Sequence, residues 1–137
     1  MNREIFFRGR SFSDGGLVYG DLEYERNKGL LGKVRIHTYK ENGSYDRQYL
    51  VESDTVGQFT GLSDSHGAKI FEGDIVRWNR DQKLYVVVFR SGMFYASVEE
   101  CNPHIYGGFP LWCLCEEEQH CTIVGNIYDN LELLSTK

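Results

Sequence analysis

Residues Thr55–Trp78, TVGQFTGLSDSHGAKIFEGDIVRW, set an apolar–polar run that ends at Gly61 against an apolar return through Ile70, Phe71, Ile75 and Val76. A polar turn, Asp64, Ser65, His66 and Gly67, lies between them. Val, Phe, Thr and Ile suit a pleated surface, and glycine reaches backbone angles that cost other residues energy. The stretch therefore predicts a hairpin with corners at Gly61, Gly67 and Gly73. It specifies a scaffold and no reactive set, and by itself it points only to a soluble, β-rich globular domain.

Downstream, Leu84–Arg90, LYVVVFR, is dense in β-branched and aromatic residues and reads as a central strand. Arg80, Asp81 and Gln82 join it to Asp74–Asn79, and Ser91-Gly92 joins it to Met93–Val98, which gives a three-stranded meander. Short twisted meanders tend to curl, so the expected fold is mainly β, with small antiparallel sheets forming a barrel-like body, SH3-like or a pseudo-barrel. Upstream, Ile5, Phe6 and Phe7 stand together in a strand over Arg3–Arg8, and Ser13, Asp14, Gly15 and Gly16 form the following turn. Leu17–Tyr24 is a strand interrupted at Gly20, where a bulge or a close backbone approach is expected. Leu30–Tyr39 places Val34, Ile36 and Thr38 on one face and Lys33, Arg35 and His37 on the other, before a turn at Asn42-Gly43.

From Glu99 the pattern loosens through Pro103, Gly107, Gly108 and Pro110 into a loop, with a short helical turn expected over Leu114–His120. Thr122–Tyr128 reads as a closing strand broken at Gly125-Asn126, and very little helix is expected anywhere. Phe7-x-Gly9 with Gly20-Asp21-Leu22 is echoed by Phe59-x-Gly61 with Gly73-Asp74-Ile75. Two readings stand: a duplicated hairpin unit, or shared turn chemistry. Residues 1–137 form one domain in this reading, with sub-units 1–54 and 55–137 and an insert at 99–121.

The chain has 137 residues, the size of one core, and 14% aromatic residues with 15 glycines and 2 prolines favour strands joined by tight turns. A net charge of -5 helps solubility and argues against a broad phosphate-binding face. The N-terminal MNREIFFRGRSF lacks the apolar core of a signal peptide. The cytoplasm, where thiols stay reduced, is the expected compartment.

Asp21, Glu72 and Asp74 offer carboxylates for a metal-dependent hydrolytic site. An aspartate after a corner glycine more often bonds backbone N–H groups, which is the preferred role here, and Gln58 is read as an amide that satisfies backbone groups. Cys101, His104, Cys113, Cys115, His120 and Cys121 supply enough donors for zinc. Only Cys101 and His104 have knuckle spacing, so ordinary thiols are preferred. Trp78, Tyr85, Phe89, Phe94 and Tyr95 with Arg77, Arg80, Lys83 and Arg90 are the raw material of a stacking platform for single-stranded nucleic acid over residues 77–95. Such aromatics also fill cores. No residue is assigned a catalytic, cofactor-binding or metal-ligating role, and the reading leans away from an enzyme.

Three blocks carry a resemblance: REIFFRG with VYGDL near the start, TVGQFTGLSDSHGAKIFEGDIV in the middle, and IVGNIYDNLELL at the end. Together the chain resembles the YopX family of phage and prophage proteins, most specifically at Thr55–Leu62, Glu72–Val76 and Gly125–Tyr128. The departures are Leu17, Ser65-His66 and the cysteine-bearing segment 101–121. The resemblance implies a small, mainly β phage protein in the host cell and brings no catalytic residues or ligand. The expected function is a non-enzymatic accessory module that binds a phage or host protein or assembles with itself.

Overall fold

The computed structural model describes residues 3–27, 30–98, 107–116 and 120–134. Eleven strands account for most of it: β1 (Phe7–Arg10), β2 (Leu17–Asn27), β3 (Leu30–Tyr39), β4 (Tyr45–Val51), β5 (Gly57–Ser63), β6 (Lys69–Phe71), β7 (Asp74–Trp78), β8 (Leu84–Arg90), β9 (Met93–Ser97), β10 (Gly108–Pro110) and β11 (Cys121–Asn126). The helical segments are 3₁₀ turns at Ser53–Thr55, Leu111–Cys115 and Leu131–Leu134. Among the described residues no helix is long and apolar enough to cross a membrane. The chain divides into two compact units, Met1–Phe59 and Thr60–Lys137.

In the first unit the strands follow the order β4-β3-β2-β1-β5, all antiparallel. The pleat alternates side chains, and Leu22 opposite Ile36 opposite Tyr49 marks the inward face. Val34, Ile36 and Val51 form its buried centre, packed by Phe7, Val18, Leu22, Tyr49 and Val56. Gly20 is where the backbones close in, because a Cβ there would lie 2.0 Å from the His37 carbonyl oxygen.

In the second unit β5 turns into β6 through Asp64–Gly67, where the Gly67 N–H donates to the Asp64 carbonyl at 3.0 Å and the Asp64 N–H to the Ala68 carbonyl at 2.8 Å. Gly67 and Gly73 take positive φ, 81° and 96°, at the expected corners, whereas Gly61, with φ of 87°, lies inside β5, which continues to Ser63. After Gly73 the chain enters a sheet of order β10-β9-β8-β7-β11, so the expected β7–β8–β9 meander is present. Its core is Val76, Trp78, Tyr85, Val87, Ala96 and Cys121, with Ile70 and, from the 3₁₀ turn, Leu111 and Leu114.

Three expectations are corrected. The sheets do not close into a barrel: β4 and β6 are the edges of one and β10 and β11 of the other. Gly73 sends β7 into a new sheet and does not extend the β5–β6 hairpin. The two segments of the internal echo are also paired differently. Phe7 lies directly opposite Gly20 in a β1–β2 pair, whereas β5, with Phe59, and β7, with Asp74, are in different sheets. The loop 99–121 contains β10 and a 3₁₀ turn over Leu111–Cys115; the expected turn at Leu114–His120 overlaps it only in part, and residues 117–119 lie outside the described residues.

Candidate functional site

The candidate carboxylates have local partners. Asp21 is exposed on β2 and accepts a hydrogen bond from the Tyr39 hydroxyl. That bond, with some desolvation and the nearby charge, raises the Tyr39 pKa above its usual value. Asp74 is buried and its Oδ2 accepts the Phe71 N–H at 2.7 Å, tying off the corner around Gly73. Glu72 is half-buried in that corner and engaged elsewhere, as is Gln58 on β5. Among the described residues no three His, Cys, Asp or Glu side chains gather into a group that could hold a metal.

Sequence reasoning treated Asp64 as a turn former and missed its reach. Its Oδ1 accepts the N–H groups of His66 and Ala68, both at 2.9 Å, and its Oδ2 accepts the Ile123 N–H of β11 at 3.0 Å. Burial alone would raise this carboxyl, but the backbone donors outweigh it and hold the pKa below the ordinary value. The side chain therefore cements a turn to a strand 59 residues away.

Cys101 and His104 lie outside the described residues. Cys113 and Cys115 sit on the 3₁₀ turn and Cys121 opens β11, all without disulfides. The Cys121 thiol donates to Cys115, which together with burial drives its own pKa far upward; the same hydrogen bond lowers that of Cys115. Burial raises Cys113. These are packed thiols beside the second core.

The cation and aromatic set of 77–95 does not share one surface. Val76 opposite Tyr85, Val87 opposite Ala96 and Phe89 opposite Phe94 put Trp78, Tyr85, Phe89 and Phe94 on one face. Arg77 opposite Leu84, Val88 opposite Tyr95 and Arg90 opposite Met93 put Arg77, Arg90 and Tyr95 on the other. Trp78 and Tyr85 are core residues, stacked edge-on with Phe109 at 5.0 and 6.1 Å. Arg90 covers Tyr95 at 5.3 Å and Arg80 covers Trp78 at 5.5 Å, so two of the aromatic rings already have cations against them.

An exposed, hydrogen-bonded surface lies in the first unit. On the outward face of β2 and β3, His37 is held at both ring nitrogens, Nε2 to Glu23 at 2.7 Å and Nδ1 to the Tyr45 hydroxyl at 3.0 Å. Tyr45 packs edge-on against Tyr39 at 5.7 Å. Both tyrosines are about half exposed, 51% and 50%, and Phe12 is 64% exposed. Phe12 anchors a second feature. Its N–H donates to the Leu50 carbonyl at 3.1 Å, closing only the last residues of the β4 edge, and Glu52 N–H returns to the Arg10 carbonyl at 2.9 Å. Beside that closure lies a hollow of about 310 Å³ lined by Ser11, Phe12, Ser13, Gln48, Tyr49 and Leu50.

Compared with known proteins, the chain is similar along 97% of its length to 99% of a chain in the crystal structure of protein EF1440 from Enterococcus faecalis, with a TM-score of 0.59 and 19% identity, a likeness of fold. No curated relative matches the chain. The family described as YopX protein matches residues 7–135. Its most specific blocks here are structural: Gly125 lies opposite Ile75 and Asn126 opposite Asp74, so the Glu72–Val76 and Gly125–Tyr128 segments form one paired corner. The chain belongs to the YopX family.

Proposed function

We propose that this protein is a non-enzymatic binding module whose first unit carries the contact surface for a protein partner, of phage or host origin or a second copy of itself. The observation that carries the reading is the exposure of Phe12, Tyr39, Tyr45 and Leu50 on a unit with no net charge: residues 1–59 hold nine Lys and Arg against nine Asp and Glu. Residues 60–137 hold six against eleven, so the whole excess of five negative charges falls there. Aromatic side chains with few surplus charges suit a protein interface. A nucleic-acid groove needs a surplus of cations, which neither half of the chain has.

A photo-crosslinking amino acid placed at Phe12 or Tyr45 in host cells tests it, with exposed Lys83 as the control position. Protein adducts from positions 12 and 45, and few from 83, are expected. Adducts to nucleic acid, or equal yields from all three positions, would overturn it.

A further inference from the structure

Antiparallel strands alternate residues whose N–H and C=O point toward one neighbour with residues that point toward the other. The Leu50 carbonyl reaches Phe12, away from β3, so Leu50 and, two residues earlier, Gln48 direct their backbone groups to the outer edge. Among the described residues only Ser11 bridges that edge, at Val51, and the outer sides of residues 45–49 have no strand beside them. The edge offers the N–H and C=O of Gln48 and the N–H of Leu50, a repeat that only another extended chain matches.

The side chains beside this edge narrow the occupant. Tyr49 lines the 310 Å³ hollow together with Phe12 and Leu50, which suits one apolar side chain. Arg47, two residues earlier on the same face, is 65% exposed; its guanidinium lies 5.9 Å from the Tyr49 ring centroid, and among the described residues it meets a carboxylate at Asp46, 3.9 Å away. A residue paired opposite Arg47 therefore meets an exposed cation that leans on the Tyr49 ring and has a carboxylate only at the outer limit of an ion pair, and an acidic side chain complements it.

Resting on the protein-binding reading above, we infer that β4 accepts an added strand from a partner protein, an extended segment with an apolar residue beside Tyr49 and an acidic residue two positions away opposite Arg47. Backbone pairing at Gln48 and Leu50 holds the segment, and the two side chains select it.

The test uses the full chain and fluorescein-labelled nine-residue peptides, threonine-rich with a central Leu-Thr-Glu, Leu-Thr-Lys or Thr-Thr-Glu. Saturable anisotropy binding is expected for Leu-Thr-Glu, at least tenfold tighter than for the other two, with NMR shifts at the Gln48 and Leu50 amides. Arg47→Glu should reverse the preference toward Leu-Thr-Lys. Gln48→Pro should weaken binding at least tenfold, because its N–H faces outward and β3 does not use it. N-methylation of the peptide residue facing Gln48 makes the same cut without altering the protein. Equal binding of all three peptides, or binding indifferent to Gln48→Pro and to N-methylation, overturns the inference. Protein crosslinks at Phe12 would in that case leave the broader binding reading standing, whereas their absence removes both.

Discussion

The backbone N–H of Ile127 donates to the carbonyl of Gly73 at 3.0 Å, joining two of the three sequence blocks most specific to the family. On the Gly73 side the corner is held by the Asp74 carboxylate on the Phe71 N–H. On the Ile127 side it is held by the Asn126 side-chain oxygen, which accepts the N–H groups of Tyr128 and Asp129, each at 2.9 Å. Asp74→Ala strands a buried donor and should lower the unfolding free energy by about 2–4 kcal/mol. Urea unfolding followed by tryptophan fluorescence measures it, since Trp78 lies at the far end of the same strand.

Asp64 gives a second stability prediction with a pH signature. Losing three backbone hydrogen bonds, Asp64→Ala should cost about 2–4 kcal/mol. The folded carboxyl titrates below its ordinary value of 3.8. Its contribution is therefore complete above the unfolded pKa and disappears as pH falls through the lower folded pKa. Wild-type stability should drop more steeply than that of Asp64→Asn as pH falls from just above the ordinary carboxylate value of 3.8 to below it. Parallel slopes would remove the charge from the explanation.

Gly20 should tolerate no side chain. The Cβ of Gly20→Ala would meet backbone, the His37 carbonyl oxygen at 2.0 Å, so β2 and β3 must separate. A loss of at least about 3 kcal/mol is expected, read by thermal unfolding. By contrast, Gly43→Asn at the tip of the β3–β4 turn meets open space, and asparagine tolerates its φ of +90° better than other side chains; a change of under about 1 kcal/mol is expected.

The thiols should react in order. Among the described thiols, Cys115, lowered by the hydrogen bond from Cys121, should alkylate first with iodoacetamide near pH 8, Cys113 more slowly, and Cys121 only on unfolding. Peptide mapping by mass spectrometry checks the order. Cys121→Ala removes the donor and should slow labelling at Cys115.

Tyr39 should ionise above its ordinary pKa of 10.0 because its hydroxyl bonds the Asp21 carboxylate. Asp21→Asn should bring the tyrosine absorbance transition near 295 nm to lower pH. A raised folded pKa means that any stabilisation is present below the unfolded pKa and is lost as pH climbs through the folded one. An unchanged transition would show that the bond does not persist in solution.

The local elements were largely legible because their signals are local. Leu84–Arg90 has the composition of a central strand, and Gly61, Gly67 and Gly73 sit where positive φ is needed. The strand alternation of Val34 and Ile36 against Lys33 and Arg35 also carried through to the burial pattern. Sheet membership was not legible, since nothing near Gly73 announces that β7 leaves the hairpin. Asp64 was underestimated because its third donor, Ile123, is remote in sequence. The split of the 77–95 set between two faces was legible: Arg77 and Trp78 are consecutive on a strand and must face opposite ways. The β4 edge was invisible, because being an edge is a property of strand order and not of Tyr45–Val51 itself.

The bond between Gly73 and Ile127 also imposes a timetable. A ribosome adding about 5–20 residues per second needs on the order of 3–11 seconds to cover the 54 residues between them. Throughout that interval the nascent Ile75-Val76 segment has no β11 to cover its flank, while the Asp74 carboxylate can already hold the bend through the Phe71 N–H. Weakening that side chain should therefore harm yield during synthesis more than it harms the finished molecule.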